Sequence, residues 1–190
     1  MKEARFDKVA GLLCSGEGGI GVTRFYGPLE GKWPTLTSEI SDVVIFRGLN
    51  EGQLQSILRI SSRQEVEQGA EIFKEGDAAE ELYVILSGKV RISRQLSDLV
   101  EGEEAVAGLG PRQALGEMGV IQDMVRSATA TAHEPCSLLV IKKEPFQQLL
   151  RDDCDLANTI LWNVVRLLSA RLRTTNDQVM LDRLERSLGV

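Results

Sequence analysis

Between Arg63 and Lys143 the chain never keeps one pattern long enough to build a long helix. RQEVEQGAEIF, ELYVILSGKVRISRQ, EEAVAGL, RSATATA and CSLLVIKK are short β-prone runs, separated by the turn signals Gly76-Asp77, Ser87-Gly88 and Gly110-Pro111. Many short strands joined by tight turns point to an antiparallel sandwich or barrel. The clearest local unit is a hairpin, Leu82–Leu86 with Val90–Ile92, about a Ser-Gly turn in which Gly88 supplies a positive φ.

Helical patterns flank this region. SEISDVVIF offers a serine cap and apolar residues at helical spacing, and NEGQLQSILRIS repeats the scheme, so two short helices are expected. After Pro145, FQQLL resumes helical spacing, and from Leu156 to Leu188 neither proline nor glycine interrupts the chain. One long helix is expected there. Leu161, Val165, Leu168, Leu172, Thr175 and Val179 alternate by four and three, a heptad seam that breaks at Asp182 and resumes out of register at Leu184 and Leu188. Ile160, Val164 and Leu167 form a second stripe, so one face can cover the chain's own core while the other meets a second copy.

Composition removes several function classes. A net charge of −6 and a pI near 5.0 argue against the broad basic footprint of a sequence-tolerant nucleic-acid binder. The three cysteines, at 14, 136 and 154, form no C-x-x-C pair, and neither a zinc cage nor a disulfide framework is expected. No apolar run reaches the ~18 to 20 residues that span a bilayer, and Glu3 and Asp7 interrupt the N-terminus as a leader. A cytoplasmic protein with reduced thiols is the expectation. GEGGIG, Gly16 to Gly21, fits the dinucleotide fingerprint in letters only, because VTRFYGPLEGKWP behind it cannot begin a long helix.

The stretch GEMGVIQDMVRSATA, Gly116 to Ala130, places a carboxylate and a guanidinium around a small apolar knot. If a strand ends at Leu115 and another begins at Arg126, Glu117 to Ile121 has room for one helical turn, whose free N–H groups favour an anion. Gly116 permits close backbone approach and Gly119 leaves space above it. Arg126 offers a planar fork for two phosphate oxygens, and Ser127 adds a hydroxyl. Glu117, an acceptor only, suits a sugar hydroxyl. A nucleotide or sugar phosphate fits this set. An ordinary Glu117–Arg126 salt bridge, worth ~0 to 1 kcal/mol if exposed, fits the letters equally well.

Gly116, Glu117, Met118, Gly119, Val120, Ile121, Arg126, Ser127 and Ala128 resemble, position by position, the phosphate-binding cassette of the cyclic-nucleotide-binding domain family. The resemblance runs over about Ser38 to Val179, through FRGLNEGQLQSIL, GAEIFKEGDAAEELYVILSGKVRIS and the closing helices. It implies a mainly β fold, an eight-stranded jelly-roll-like antiparallel barrel with short N-terminal helices and a long C-terminal helix. It also implies cAMP, or alternatively cGMP, inside, with no metal; Glu117 takes the ribose 2′-hydroxyl and Arg126 the cyclic phosphate. ARLRTTNDQV resembles the dimer helix of the family's activators, which places Thr175 and Asn176 against the adenine and favours cAMP. Two positions depart from the pattern: Val125 stands where proline is common, and Arg112 where a glycine usually makes the turn.

The implied organisation is a glycine-rich extension over residues 1–36, a cyclic-nucleotide-binding barrel over 37–150, and a helix over 151–190 acting as lid and dimerisation element. Activators of the family carry a helix-turn-helix domain after the long helix. Few residues follow the seam here, so direct DNA binding is not expected. A sensor that signals through a homodimer and an unidentified effector protein is the expected function, and not an enzyme. Metal-dependent barrel enzymes generally use several histidines, and this chain has only His133. A docking subunit with an empty pocket is the remaining alternative.

Overall fold

The computed structural model describes residues 22–25, 33–97, 100–121 and 124–188. The glycine-rich GEGGIG segment and Cys14 lie outside the described residues. The elements are β1 (Val22–Phe25), α1 (Trp33–Ser41), a 3-10 turn (Val44–Phe46), α2 (Glu51–Arg59), β2 (Ser61–Val66), β3 (Glu71–Phe73), β4 (Glu81–Ser87) and β5 (Val90–Ser97). They continue with β6 (Val100–Leu109), β7 (Ala114–Leu115), α3 (Glu117–Ile121), β8 (Thr129–Ala132), β9 (Cys136–Lys142), α4 (Lys143–Asp152) and α5 (Cys154–Leu188).

The strands form two antiparallel sheets, ordered β1-β2-β9-β4-β7 and β3-β8-β5-β6. This is the jelly-roll-like arrangement in outline, with two corrections. Nine strands are described where eight were expected, since β1 adds to the free edge of β2. The sheets also do not close into a barrel, because β7 holds only two residue pairs with β4 before the chain turns into α3.

The expected hairpin of Leu82–Leu86 and Val90–Ile92 is also corrected. β4 belongs to the first sheet, between β9 and β7, and β5 to the second, between β8 and β6. The Ser87-Gly88 turn, with Gly88 at φ +88°, carries the chain from one sheet to the other. Cross-strand ladders decide this: β4 pairs with β9 from Glu81↔Lys142 to Ser87↔Ser137, and β9 pairs with β2 from Ser61↔Ile141 to Val66↔Cys136.

The unbroken apolar runs of β4 and β9 follow from this central placement, which covers both faces. Leu82, Val84, Leu139 and Ile141 face a helical layer with Ile40, Phe46, Ile57, Phe146, Leu156, Ile160 and Val164. Tyr83, Ile85, Leu115, Leu138 and Val140 face the second sheet, with its Ile72, Val90 and Ala130. Burying a side chain of this size contributes about 1.5–3 kcal/mol, so these two layers hold the fold.

The helices differ from expectation in their ends. α1 begins at Trp33, with Pro34 tolerated in its first turn, and stops at Ser41, so SEISDVVIF is split between α1 and the 3-10 turn. α2 is closed by a capping box in which Asn50 accepts from the Gln53 N–H and Gln53 reaches back to the Asn50 N–H. α5 spans 35 residues, starting two residues ahead of Leu156, where Asp153 accepts the Leu156 N–H at 2.9 Å. Asn163, buried in α5, donates to the carbonyls of Ile45 (3.3 Å) and Arg47 (2.7 Å) and pins the helix to the 3-10 turn.

Candidate functional site

The site is built where β7 ends and α3 begins. Gly116 has φ +81°, and a Cβ there would lie 2.3 Å from Nη1 of Arg126 and 3.1 Å from the Glu81 carbonyl oxygen. Only glycine satisfies both the backbone and the space. Glu117 opens α3 and is 4% exposed; Gly119 is buried against Ala79. Met118 points outward at 45% exposure.

Arg126 returns to the same spot from the far end of the cassette. Its N–H donates to the Asp77 carbonyl at 2.8 Å and its carbonyl accepts from Gly76 at 2.9 Å, which zips the cassette exit onto the β3–β4 turn. The side chain then runs inward and is 5% exposed. Nη2 donates to the Glu81 carbonyl at 2.7 Å, and Cζ lies 4.2 Å from the Phe73 ring centre and 5.6 Å from that of Tyr83. Nε and Nη1 are buried and have no hydrogen-bond partner.

A guanidinium with buried, unmet N–H groups is costly unless something accepts from them. Burial lowers the Arg126 pKa, and Tyr83, Glu81, Asp77 and Glu117 oppose that shift. A buried guanidinium with Nε and Nη1 unmet is suited to an incoming anion.

Glu117 and Arg126 do not pair with each other. Arg171 of α5 meets Glu117 instead, its Nη1 donating to Oε1, while Nη2 donates to the Ala114 carbonyl at 3.3 Å. Sequence reading passed over Arg171, which falls between the seam positions Leu168 and Leu172 and reads as a solvated residue. Phe73 and Tyr83 were missed because aromatic residues in strands read as core. The one available signal for Arg171 was a basic residue one helical turn ahead of Thr175.

The other expected residues divide into two groups. Ser127, exposed, and Ala128, half-buried, continue the cassette directly behind Arg126. Thr175 and Asn176 are exposed on α5, one turn beyond Arg171, and Thr175 Oγ1 donates to the Arg171 carbonyl at 3.0 Å. Among the described residues no group of three or more His, Cys, Asp and Glu could hold a metal ion. Among them, too, no helix is long and apolar enough to cross a membrane.

Comparison with known proteins agrees with this geometry. Residues 63–153 match the family model of the cyclic nucleotide-binding domain. The chain is 35% identical over 129 residues to the cyclic AMP receptor protein of Thermus thermophilus, covering 68% of this chain and 57% of that protein. It thus spans little more than half the length of that relative. The regulatory domain of Toxoplasma gondii PKA, solved with cAMP, superposes with a TM-score of 0.60 at 27% identity, covering 67% of this chain and 48% of that one. A cyclic nucleotide-binding domain from Methylobacillus flagellatus KT shares the fold with a TM-score of 0.73 at 24% identity, covering 85% and 89% of the two chains. The cassette from Gly116 to Ala128, the buried arginine beneath it and these matches lead to one assignment: the chain belongs to the cyclic nucleotide-binding domain family.

Proposed function

We propose that this chain is a cyclic-nucleotide sensor that binds cAMP, or alternatively cGMP, in the Gly116–Ala128 cassette and reports occupancy through α5. The observation that carries the reading is Arg126, buried with Nε and Nη1 unpartnered. A cyclic phosphate supplies the missing acceptors and the missing negative charge in one group. Glu117 grips the ribose hydroxyl, and Gly116, Met118, Gly119, Ser127 and Ala128 form the rest of the wall. Binding without chemistry is the role that accords with relatives described as a receptor and a kinase regulatory domain.

The base lies toward α5, where Thr175 and Asn176 present polar groups from an exposed face. Leu161, Val165, Leu172 and Val179 are between 43% and 62% exposed on the same helix, and a second copy of α5 is the partner this seam fits. Leu168 is excepted, since it packs partly on the chain's own helical core. On this reading 1–36 is an extension, 37–150 the sensing unit and 151–190 the lid and dimer element, with an effector protein receiving the signal.

The test is thermal stability and calorimetry of the full chain with cAMP, cGMP and AMP, for wild type and Arg126→Ala. A ligand at 100 times its dissociation constant stabilises by about 2.7 kcal/mol. A shift with one cyclic nucleotide that shrinks or disappears in Arg126→Ala supports the reading; a shift unchanged by the substitution removes the role of Arg126. Because Glu117 is already engaged by Arg171, the second reading is a ligand-free docking subunit, and it stands if neither cyclic nucleotide binds.

A further inference from the structure

The turn that delivers the chain into the cassette carries a residue in the wrong conformation for its type. Gly110 to Gln113 is closed by the Gln113 N–H to the Gly110 carbonyl at 3.3 Å, with Pro111 second and Arg112 third. Arg112 has φ +67°, the sole positive φ outside glycine among the described residues. A turn of this kind takes glycine or asparagine at its third position, because a Cβ there is strained. The strain persists here on an exposed side chain, so packing does not explain it.

Its guanidinium does make one contact: Nη1 lies 3.3 Å from Oδ2 of Asp42. Asp42 follows the end of α1 and stands between Ser41 and the buried Val43, with Ile40 buried just before, so core residues flank it on both sides. Arg112 in turn precedes β7, a two-residue edge strand paired as Tyr83↔Leu115 and Val84↔Ala114. Ahead of it the Arg112 N–H donates to the Ile85 carbonyl at 2.8 Å and the Gln113 carbonyl accepts from the Ile85 N–H at 3.0 Å. The backbone thus ties the segment to β4, and the Arg112 side chain ties its start to the end of α1. Further along this segment, Arg171 takes the Ala114 carbonyl and Glu117. Arg112 and Arg171 therefore hold the segment from 112 to 117 at its two ends, and both contacts lead to the helical layer.

We infer that Arg112 is a positioning residue, whose ion pair with Asp42 fastens β7 and the cassette entrance to the helical layer and so sets where Glu117 stands for the ligand. This rests on the reading of Glu117 as the acid that grips the ligand. The strained backbone is what aims the guanidinium at Asp42. Glycine would relax the turn and remove the tether to Asp42, leaving the segment its backbone bonds to Ile85.

Three variants of the full chain test it: Arg112→Gly, Asp42→Asn, and the exchanged pair Arg112→Asp with Asp42→Arg, in which aspartate tolerates the positive φ. Amide hydrogen exchange at Leu115, Gly116 and Glu117 is expected to quicken in both single variants and to recover in the exchanged pair. Affinity for cAMP is expected to fall about threefold in both single variants, as suits an exposed ion pair, and to recover likewise. Arg112→Gly is expected to unfold at a higher temperature than wild type while binding more weakly, a combination that a purely structural role does not produce. Unchanged exchange in the single variants, failure of the exchanged pair to restore it, or altered exchange with unaltered affinity would each overturn the inference. If wild type binds neither cAMP nor cGMP, the sensor reading falls and the exchange measurements alone decide the tether.

Discussion

Glu117 and Arg171, separated by 54 residues, form an ion pair that joins the first residue of the cassette helix to the middle of α5. The acid is 4% exposed and the arginine side chain 39%, so the two ends of the pair are not equally desolvated. Removing the arginine leaves a buried carboxylate without its cation, while water reaches only part of the space. We expect Arg171→Ala to lower stability by about 1–2 kcal/mol, below the ~3–5 kcal/mol of a fully buried pair because solvent screens the exposed end. Urea denaturation measures this. Arg171→Ala in a Glu117→Gln background should be much milder, since the charge is already gone.

Arg126 gives the opposite balance. Arg126→Met keeps much of the volume against Phe73 and Tyr83 and removes two unmet donors, each of which costs about 1–3 kcal/mol when buried. It also deletes the bond to the Glu81 carbonyl. The terms offset, and the ligand-free variant should unfold within about 1 kcal/mol of wild type. Its affinity for a cyclic nucleotide should nevertheless fall by about 10- to 100-fold, the worth of one strong charged hydrogen bond. A large loss of stability in the absence of ligand would show that the guanidinium is structural.

The cassette was legible because its members are close in sequence: Gly116, Glu117 and Arg126 lie within one loop, and each letter states a local requirement. α5 was legible because nothing from Leu156 onward breaks a helix. Arg171 was not, since its partner is set by how α5 crosses α3, which no local spacing encodes. The misread hairpin has the same origin. Ser87-Gly88 is a sound turn signal, but the strands beside it are claimed by longer ladders with β9, β6 and β8. Tyr83 and Phe73 do pack in the core as their types suggest, and the side of Arg126 is part of what they pack against.

Gly116 combines a positive φ with no room for a Cβ inside the cassette. Gly116→Ala forces an L residue to φ +81° and places its Cβ 2.3 Å from Arg126 Nη1. The backbone term alone is about 1–2 kcal/mol, and displacement of the guanidinium adds to it. A loss of about 2–3 kcal/mol is expected, with nucleotide binding reduced in parallel. Unfolding curves combined with calorimetry check both.

Asp153 is expected to contribute to the fold's response to acid. Its carboxyl is held below its ordinary value of 3.8, first by the Leu156 N–H and then by Gln53 of α2. A depressed folded-state pKa means a stabilising contribution present above the unfolded value and lost as pH falls through the folded one. The loss therefore falls below about pH 4. Asp153→Asn keeps a capping oxygen without the charge, so its stability should change less than that of wild type between pH 5 and pH 2. Parallel slopes for the two proteins would remove Asp153 from the acid response.

The outer face of α5 makes the last prediction. Ile160 and Val164 are 2% and 4% exposed and are spent on the chain's own core, whereas Leu172 is 62% and Val165 52% exposed. One isolated apolar side chain in water is ordinary, but a row at heptad spacing along one helix is suited to a facing helix. Leu172→Glu introduces a charge into the proposed seam without touching the packed face, so the monomer fold should persist. Sedimentation of wild type should report a dimer and that of Leu172→Glu a monomer with unchanged helix content. Thr175, three residues on, is the polar break in the same row. If the nucleotide base bonds there, cAMP should strengthen the wild-type dimer, and Thr175→Ala should abolish the increase without abolishing the dimer. A wild type that sediments as a monomer with and without cAMP would leave the row as surface only.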